Sequence, residues 1–238
     1  MPGRAVSLAA CLLLTLPQPA AAREVGLELV LAIDCSLSVS DPEYSLQMGG
    51  IASALRNPQI RALILDQPGG VALTVMQWAG TATTHQAVPW RLLTTPEDVE
   101  AFAAATATAR RAPLSYYTAI GHAIAAGVRL IAGNDFEGRE KKIDISGDGR
   151  SNAGPPPGIV KLLAVKSGIT INGLAILTDD AGLAEYYAGE VSGGPGAFTV
   201  SASSYRDFAA AFARKLYREL LPRTAGSEGS GGLAMGER

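Results

Sequence analysis

The chain has 238 residues, of which 47% are hydrophobic and 18% are charged, and its formal net charge is -2. This length and composition suit a single α/β domain with one substantial core. The sequence has no cluster of lysine and arginine of the kind that binds phosphate backbones, which argues against nucleic acid as the main partner.

The first 22 residues are typical of a secretory signal peptide. Arg4 supplies the positive end, residues 5–16 the apolar core, and Ala20-Ala21-Ala22 a small-residue cleavage site. We therefore expect an exported protein, periplasmic in the first place and secreted as the alternative, in which Cys35 is the only mature cysteine. No later stretch reaches the roughly 20 apolar residues of a membrane span, so we expect no transmembrane segment after signal cleavage.

The remaining chain divides into one domain and a tail. Residues 223–238 include a Gly/Ser-rich stretch with few apolar residues, and we predict that they are disordered. Residues 23–222 are then left as a single folded domain.

The first predicted strand ends in a polar cluster. Residues 29–33 form a continuous aliphatic run, which is typical of a strand that is covered on both faces. Asp34, Ser36 and Ser38 follow it, where ligands of α/β sheets bind. Cys35 alternates to the opposite face, so we expect it to be a small buried hydrophobic residue, with a redox-reactive thiol as the alternative.

Helices and strands alternate in the next part of the chain. Asp41-Pro42-Glu43 predicts a helix start with Asp41 as N-cap, and this helix should stop before Pro58. Residues 71–79 predict a second strand, and residues 83–90 predict its hairpin partner or an edge strand. Thr95-Pro96 repeats the pattern of a helix start.

The second half of the chain predicts the same alternation. Thr118 opens a helix that Gly133 ends, and Asp148-Gly149 forms the turn after a strand over residues 141–147. The later predicted elements are a helix over 159–167, a strand over 169–177, a short helix near Leu183, a strand over 197–200 and a helix over 205–220. This alternation predicts a three-layer α/β fold with a mostly parallel sheet.

Oxygen-bearing side chains at the ends of these elements could converge on one site. Carboxylates and hydroxyls without thiolate or imidazole select a hard cation, Mg²⁺ in the first place, with Mn²⁺ or Ca²⁺ as alternatives. Two carboxylates about 5 Å apart would repel by roughly 3 kcal/mol at an effective dielectric constant near 20, and a divalent cation removes this penalty. The candidate metal ligands are Asp34, Ser36, Ser38, Thr118 and Asp148.

The order of these residues resembles the metal-ion-dependent adhesion site of the von Willebrand factor type A domain. Asp34-x-Ser36-x-Ser38 comes first, Thr118 second and Asp148-Gly149 third, within an alternating α/β chain. The resemblance covers about residues 25–221. It implies a three-layer Rossmann-like fold with a mostly parallel central sheet and one antiparallel edge strand. The segment 143–149 is also similar to a group of exported bacterial proteins whose function is uncharacterised.

The resemblance also implies a role for each residue. Ser36, Ser38 and Thr118 would bind the metal directly, while Asp34 and Asp148 would act mainly through water. Neutral hydroxyl ligands leave the charge of the cation poorly cancelled, so the cation attracts a carboxylate from outside. This implies a non-enzymatic binding module in which the acidic side chain of a protein or peptide partner completes the coordination of the metal.

Two other functions stay open at this point. The same site could serve a metal-dependent hydrolase or phosphatase with Asp34 or a serine as nucleophile, although the chain has no G-x-S-x-G elbow. It could also be a structural brace without an external ligand. Taken singly, Thr118 could be a simple N-cap and Asp148-Gly149 an ordinary turn.

Residues near Asp148 are expected to support the site. Asp144 shares a strand face with Asp148, and we expect it to hold Thr118 or a nearby backbone group, with Lys141 or Arg139 as alternative partners. Three residues that follow the Asp148 turn are expected to lie at the edge of the site: Arg150, Ser151 and Asn152.

Overall fold

The computed structural model describes residues 22–112 and 115–221. The predicted signal peptide, residues 1–22, lies outside this part except for its last residue, and so does the predicted tail, residues 223–238. The regular elements run from Arg23 to Leu220. Within the described ranges, no helix combines the length and the hydrophobicity that crossing a membrane requires.

A six-stranded sheet forms the middle layer of the fold. In chain order the strands are β1 Arg23–Asp34, β2 Val71–Trp78, β3 Thr84–Leu93, β4 Phe136–Gly147, β5 Ile169–Ile176 and β6 Thr199–Ala202. Their spatial order is β3-β2-β1-β4-β5-β6. β3 lies at one edge and is antiparallel to β2, whereas the other neighbouring strands are parallel. This confirms the predicted mostly parallel sheet with one antiparallel edge strand.

Helices cover both faces of the sheet. In chain order they are α1 Asp41–Arg56, α2 Pro58–Leu65, α3 Pro96–Ala107, α4 Ile120–Ala132, α5 Pro157–Lys166, α6 Leu183–Tyr186 and α7 Phe208–Leu220, with a π-helical turn Tyr187–Val191 after α6. Leu29, Leu31 and Ile33 of β1 belong to the apolar cluster beneath α1, α2, α3 and α7. Val30 and Ala32 belong to the opposite cluster, beneath α4, α5 and α6. The uninterrupted apolar run of β1 therefore reflects burial on both faces.

The start of α1 and the presence of α2 differ from the predictions. The N-cap of α1 is Ser40 and not Asp41, because Ser40 and Glu43 form a reciprocal capping box. Pro58 ends α1 as expected, but it also opens α2, since Asn57 caps the amides of Gln59 and Ile60. A proline that stops one helix can occupy the first position of the next.

Three further boundaries also shift. α4 begins at Ile120 with Ala119 as N-cap, so Thr118 lies in the preceding loop and does not cap the helix. β4 begins at Phe136, well before the predicted strand, because its charged first half pairs with β1. α7 begins at Phe208, since residues before it form a turn.

The connections between strands place one end of β1 next to one end of β4. β1 lies beside β2 on one side and β4 on the other, so the chain winds away from β1 in opposite directions. The crevice at such a switch point is where α/β sheets bind ligands. Asp34 is the last residue of β1, and Asp148 directly follows β4, so both residues reach this crevice.

Candidate metal site

Asp34 is a fully buried carboxylate at the end of β1. Its Oδ1 accepts a hydrogen bond from the backbone N–H of Ser36 at 2.7 Å. Its Oδ2 is buried and has no hydrogen-bond partner among the described residues. Burial raises the pKa of Asp34 to about 7, the charge of Asp148 adds to this rise, and the Ser36 hydrogen bonds oppose it. The charge of Arg111 opposes the rise least, so the ionised form of Asp34 is only weakly compensated in this crevice.

Ser36, Ser38 and Asp148 form a short hydrogen-bonded chain. The Oγ atoms of Ser36 and Ser38 are 3.1 Å apart, and the Ser38 hydroxyl donates to Oδ1 of Asp148 at 3.0 Å. Ser36 and Asp148 are buried, whereas Ser38 is exposed. Burial raises the pKa of Asp148, and the neighbouring hydroxyls of Tyr205 and Ser38 oppose that rise. Ser38 therefore connects buried acidic groups to the protein surface.

Thr118 is hydrogen-bonded to the loop that follows Asp148. Its N–H donates to Oδ1 of Asn152 at 2.8 Å, and its carbonyl accepts from the Asn152 N–H at 2.9 Å. The Ser151 hydroxyl donates to the same carbonyl at 3.3 Å. The Thr118 hydroxyl also lies beside Gly149, where an added Cβ would be 3.9 Å from Oγ1. The structure thus places Thr118 against the Asp148-Gly149 turn.

The five candidate ligands and the three residues that follow the Asp148 turn lie at this one edge of the sheet. Ser151 and Asn152 contact Thr118 as expected, and Arg150 forms an ion pair with Asp180 at 2.7 Å. The proximity follows from the parallel pairing of β1 with β4 and from the hydrogen bonds that tie the α4 loop to the β4 loop. Direct metal binding by Asp34, Ser36, Ser38, Thr118 and Asp148 stays a prediction.

Arg111 organises the first loop of the site, and the sequence did not point to it. Its guanidinium, 13% exposed, forms an ion pair with Asp41 at 2.7 Å. It also donates to the carbonyl of Ser36 at 2.8 Å and to the carbonyl of Val39. Arg111 is 75 residues away from Ser36 in sequence and lies in an irregular connection, so no periodic pattern links the two.

Tyr187 is a second residue that the sequence did not reveal. A Cβ added to Gly147 would lie 2.6 Å from the Tyr187 hydroxyl oxygen and 3.0 Å from Oδ2 of Asp34. Glycine at position 147 therefore lets the tyrosine ring and the Asp34 carboxylate approach the backbone of β4. The only sequence signal was the glycine itself, which indicates close packing.

Asp144 has a different partner from the ones expected. Its Oδ1 is 2.6 Å from Nζ of Lys215 on α7, so the expected support of Thr118 and the alternative pairing with Lys141 or Arg139 are wrong. Side chains alternate along β4, so Asp144 faces α7 while Lys141 turns to the other face and pairs with Glu137. Cys35 is fully buried, as expected, and its thiol donates to the Trp78 carbonyl at 3.3 Å.

The chemistry of the cluster fits a small, hard cation. In the part of the chain that the structure describes, no group of three or more His, Cys, Asp or Glu could hold a metal ion. A metal in this crevice would therefore depend on hydroxyl ligands together with Asp34 and Asp148. The unpartnered, buried Oδ2 of Asp34 is an oxygen that a cation or its bound water could satisfy.

Comparison with known sequences gives a family without an assigned activity. The model of the family described as "Protein of unknown function (DUF1194)" matches residues 24–224. No curated protein matches the sequence significantly.

Several solved structures share the fold. One is proximal thread matrix protein 1 from the mussel byssus with a zinc-occupied MIDAS motif (18% identity, 82% of this chain, 46% of that chain, TM-score 0.60). Another is a von Willebrand factor type A protein from Catenulispora acidiphila (16% identity, 82% and 42%, TM-score 0.57). A third is the corresponding domain of the type V pili tip protein Mfa5 from Porphyromonas gingivalis (13% identity, 86% and 99%, TM-score 0.57).

These likenesses concern architecture. The chain spans less than half the length of the first two proteins, and the identities are low. What they show is that this chain has the von Willebrand factor type A fold.

Proposed function

We propose that this chain, which belongs to the DUF1194 family of proteins of unknown function, is an exported, non-enzymatic module that binds a protein partner through a divalent metal. The observation that carries the proposal is the hydrogen-bonded cluster of Asp34, Ser36, Ser38 and Asp148 at the switch point of the sheet. It joins two buried carboxylates to an exposed hydroxyl, which is how a cation would be held at the surface.

The metal would be held by hydroxyls and supported by carboxylates. Ser36, Ser38 and Thr118 would be direct ligands, and Asp34 and Asp148 would act mainly through water. The residues favour Mg²⁺, with Mn²⁺ or Ca²⁺ as alternatives, because all donor atoms are oxygen. When bound, the cation supplies a positive charge that neutral ligands leave incompletely cancelled, and the acidic side chain of a partner can complete its coordination.

The surface beside the cluster suits a protein partner. Leu37 is 43% exposed between the two serines, and Tyr116 and Tyr117, just before Thr118, are 83% and 60% exposed. The Leu37 N–H donates to the Ser115 carbonyl at 2.9 Å, so the loops that carry these side chains are adjacent. Exposed aromatic and aliphatic side chains next to a charged centre are typical of interface anchors.

The structural neighbours support the same type of function. One of them is a byssus matrix protein with zinc in its MIDAS motif, and another is a pili tip protein. Both names describe proteins outside the cytoplasm, in agreement with the predicted signal peptide. We place the mature protein in the periplasm, with secretion as the alternative.

Two features of the cluster argue against a nucleophile in a hydrolase. Asp34 is fully buried, and its Oδ1 is engaged by the Ser36 N–H. The exposed hydroxyl, Ser38, donates to Asp148, and no histidine takes part in that hydrogen bond. Binding a cation is compatible with these contacts, whereas acyl or phosphoryl transfer would need an accessible, activated nucleophile.

Affinity capture tests the proposal. The mature protein, immobilised with Mg²⁺, should retain specific envelope proteins, and EDTA should release them. Ser38→Ala should lose the same proteins, because it removes the exposed ligand without disturbing the core. The matched control is Ser45→Ala, an exposed serine of α1 whose hydroxyl donates to the Asp41 carbonyl of the same helix.

The comparison of retention between wild type, the variants and EDTA decides the outcome. Equal retention by wild type, by Ser38→Ala and in EDTA would contradict metal-dependent binding. Turnover of phosphate or carboxylic esters by wild type that Ser38→Ala and Asp34→Asn abolish would favour the hydrolase instead.

A further inference from the structure

A charged triad lies completely buried between α7 and the sheet, away from the metal cluster. Nζ of Lys215 is 2.6 Å from Oδ1 of Asp144 and 2.7 Å from Oε1 of Glu219. Lys215 and Asp144 are 0% exposed and Glu219 is 1% exposed. Such a group has lost its hydration entirely, and the Coulomb attraction inside a protein only partly offsets that loss.

The contacts around the triad leave it incompletely satisfied. Oδ2 of Asp144 and Oε2 of Glu219 are buried and have no hydrogen-bond partner in the described part of the chain. The nearby Lys142 is engaged elsewhere, since its Nζ pairs with Glu140 at 2.7 Å and donates to the Glu219 backbone carbonyl. The Ser146 hydroxyl donates to Oδ1 of Asp144 at 3.5 Å. One ammonium therefore lies between two carboxylates that are removed from water, and this burial disfavours the charged form of Asp144.

We propose that Lys215 and Asp144 join in an intramolecular isopeptide bond, with Glu219 as the catalytic residue that relays the proton. The neutral Lys215 amine attacks Cγ of protonated Asp144, so a C–N bond forms. The bond from Cγ to the hydroxyl oxygen breaks. Glu219 takes a proton from Nζ and delivers it to the departing hydroxyl, which leaves as water. One ammonium and one carboxylate thus give one amide and one water, and no oxidant or cofactor is needed.

The geometry supplies what this condensation requires. The attacking nitrogen is already in contact with the carboxyl group, and both are held by regular elements, β4 and α7, so little motion separates reactants from product. Asn172 Nδ2 donates to Oε1 of Glu219 at 2.8 Å, which holds the proton relay against the amine. Complete burial keeps out the water that would reverse the reaction.

The electrostatic setting favours the same step. Burial raises the pKa of Asp144, the Lys215 charge opposes the rise, and the Glu219 charge adds to it. A protonated carboxyl is the form that an amine can attack, because its hydroxyl can leave as water. The ring of Phe198, 5.8 Å from Nζ of Lys215, adds an apolar wall on one side.

Mass spectrometry of the purified mature protein tests the bond directly. The intact, denatured chain should be lighter, by the mass of one water molecule, than the mass calculated from its measured N-terminus. A mass equal to that of the linear chain would overturn the proposal and leave a buried ion pair. A deficit of one ammonia would overturn it as well, because it would indicate an amide formed from Asn172.

Tryptic digestion locates the bond. Trypsin should release a branched peptide made of residues 143–150 and 215–218, because a modified Lys215 is no longer cleaved. The Asp148-Gly149 pair can also lose water by closing to a succinimide within one linear peptide. A water deficit accompanied only by linear peptides would therefore contradict the Lys215–Asp144 link.

Matched variants assign the role of Glu219. Glu219→Gln should restore the full mass of the linear chain, while Glu140→Gln, which alters the neighbouring lysine–glutamate pair, should keep the deficit. Persistence of the branched peptide in Glu219→Gln would contradict the proton relay. The wild-type mass and digest decide on the bond itself, whatever the stability of these variants.

Discussion

Titration of Asp34 should make the stability of the metal-free protein depend on pH. Its pKa of about 7 in the folded state is above its ordinary value of 3.8, so the native chain binds its proton more tightly than the unfolded chain. Between these two values the free energy of unfolding should fall as pH rises, by up to about 4 kcal/mol, and the stabilisation is fully present only below pH 3.8. Asp148, whose pKa is also raised, acts in the same direction.

Urea denaturation in EDTA at a series of pH values between about 5 and 8 measures this slope. Asp34→Asn should make this slope shallower, and the exposed substitution Asp66→Asn should leave it unchanged. Saturating Mg²⁺ should restore stability above neutral pH, since the cation compensates the ionised carboxylates. A metal-free protein that is equally stable across this range would contradict the electrostatic description of the crevice.

We expect Arg111 to hold residues 36–39, the loop that carries two of the proposed metal ligands, in the conformation that binds the metal. Arg111→Ala removes donors to the carbonyls of Ser36 and Val39 and should weaken metal binding by about 10- to 100-fold, the usual effect of losing a group that orients ligands. Calorimetric titration measures the change. The neighbouring exposed Arg110→Ala is the control, and equal affinity of both variants would exclude an organising role.

Among the elements, α1 offers a clean test of local structure. Ser40 caps the helix reciprocally with Glu43, so Ser40→Ala should lower the free energy of unfolding by about 1 kcal/mol. Urea denaturation measures this loss, with Ser45→Ala as the comparison within the same helix. A loss that is no larger for Ser40 than for Ser45 would mean that the capping box contributes nothing.

The elements also show what sequence patterns could and could not reveal. The buried strands were predictable because short apolar runs such as 71–79, bounded by glycines, are typical of strands that are covered on both faces. The first half of β4 was not predictable, because its charged residues are stabilised as a strand by pairing with β1 and not by local propensity. α2 was not predicted, because Pro58 was interpreted only as the end of α1, whereas it also begins α2.

Across the whole molecule, the convergence of the candidate site was predictable, and its supporting contacts were not. Parallel strands end at the same edge, so Asp34 and Asp148 had to approach once β1 and β4 were neighbours. Contacts between side chains that are far apart in the sequence leave no periodic pattern along the chain. The Lys215–Glu219 spacing is a readable helical pair, but nothing along the chain assigns Asp144 to it.

The fold and the metal site depend on different observations. The von Willebrand factor type A fold is shown by the sheet order and by the solved structures. The metal is part of the proposal, and it would depend on the five side chains of the candidate site. A structural brace without a partner would use the same five residues, and it would differ in raising the melting temperature with Mg²⁺ while leaving the captured envelope proteins unchanged.

Isothermal titration of Mg²⁺ into the mature, metal-free protein is the most direct measurement of metal binding at this crevice. We expect a saturable heat with one ion per chain, weakened at least about 10-fold in Ser38→Ala and in Asp148→Asn and unchanged in Ser45→Ala. Absence of heat with Mg²⁺, Mn²⁺ and Ca²⁺, or an identical isotherm in all three variants, would contradict a metal site formed by these residues.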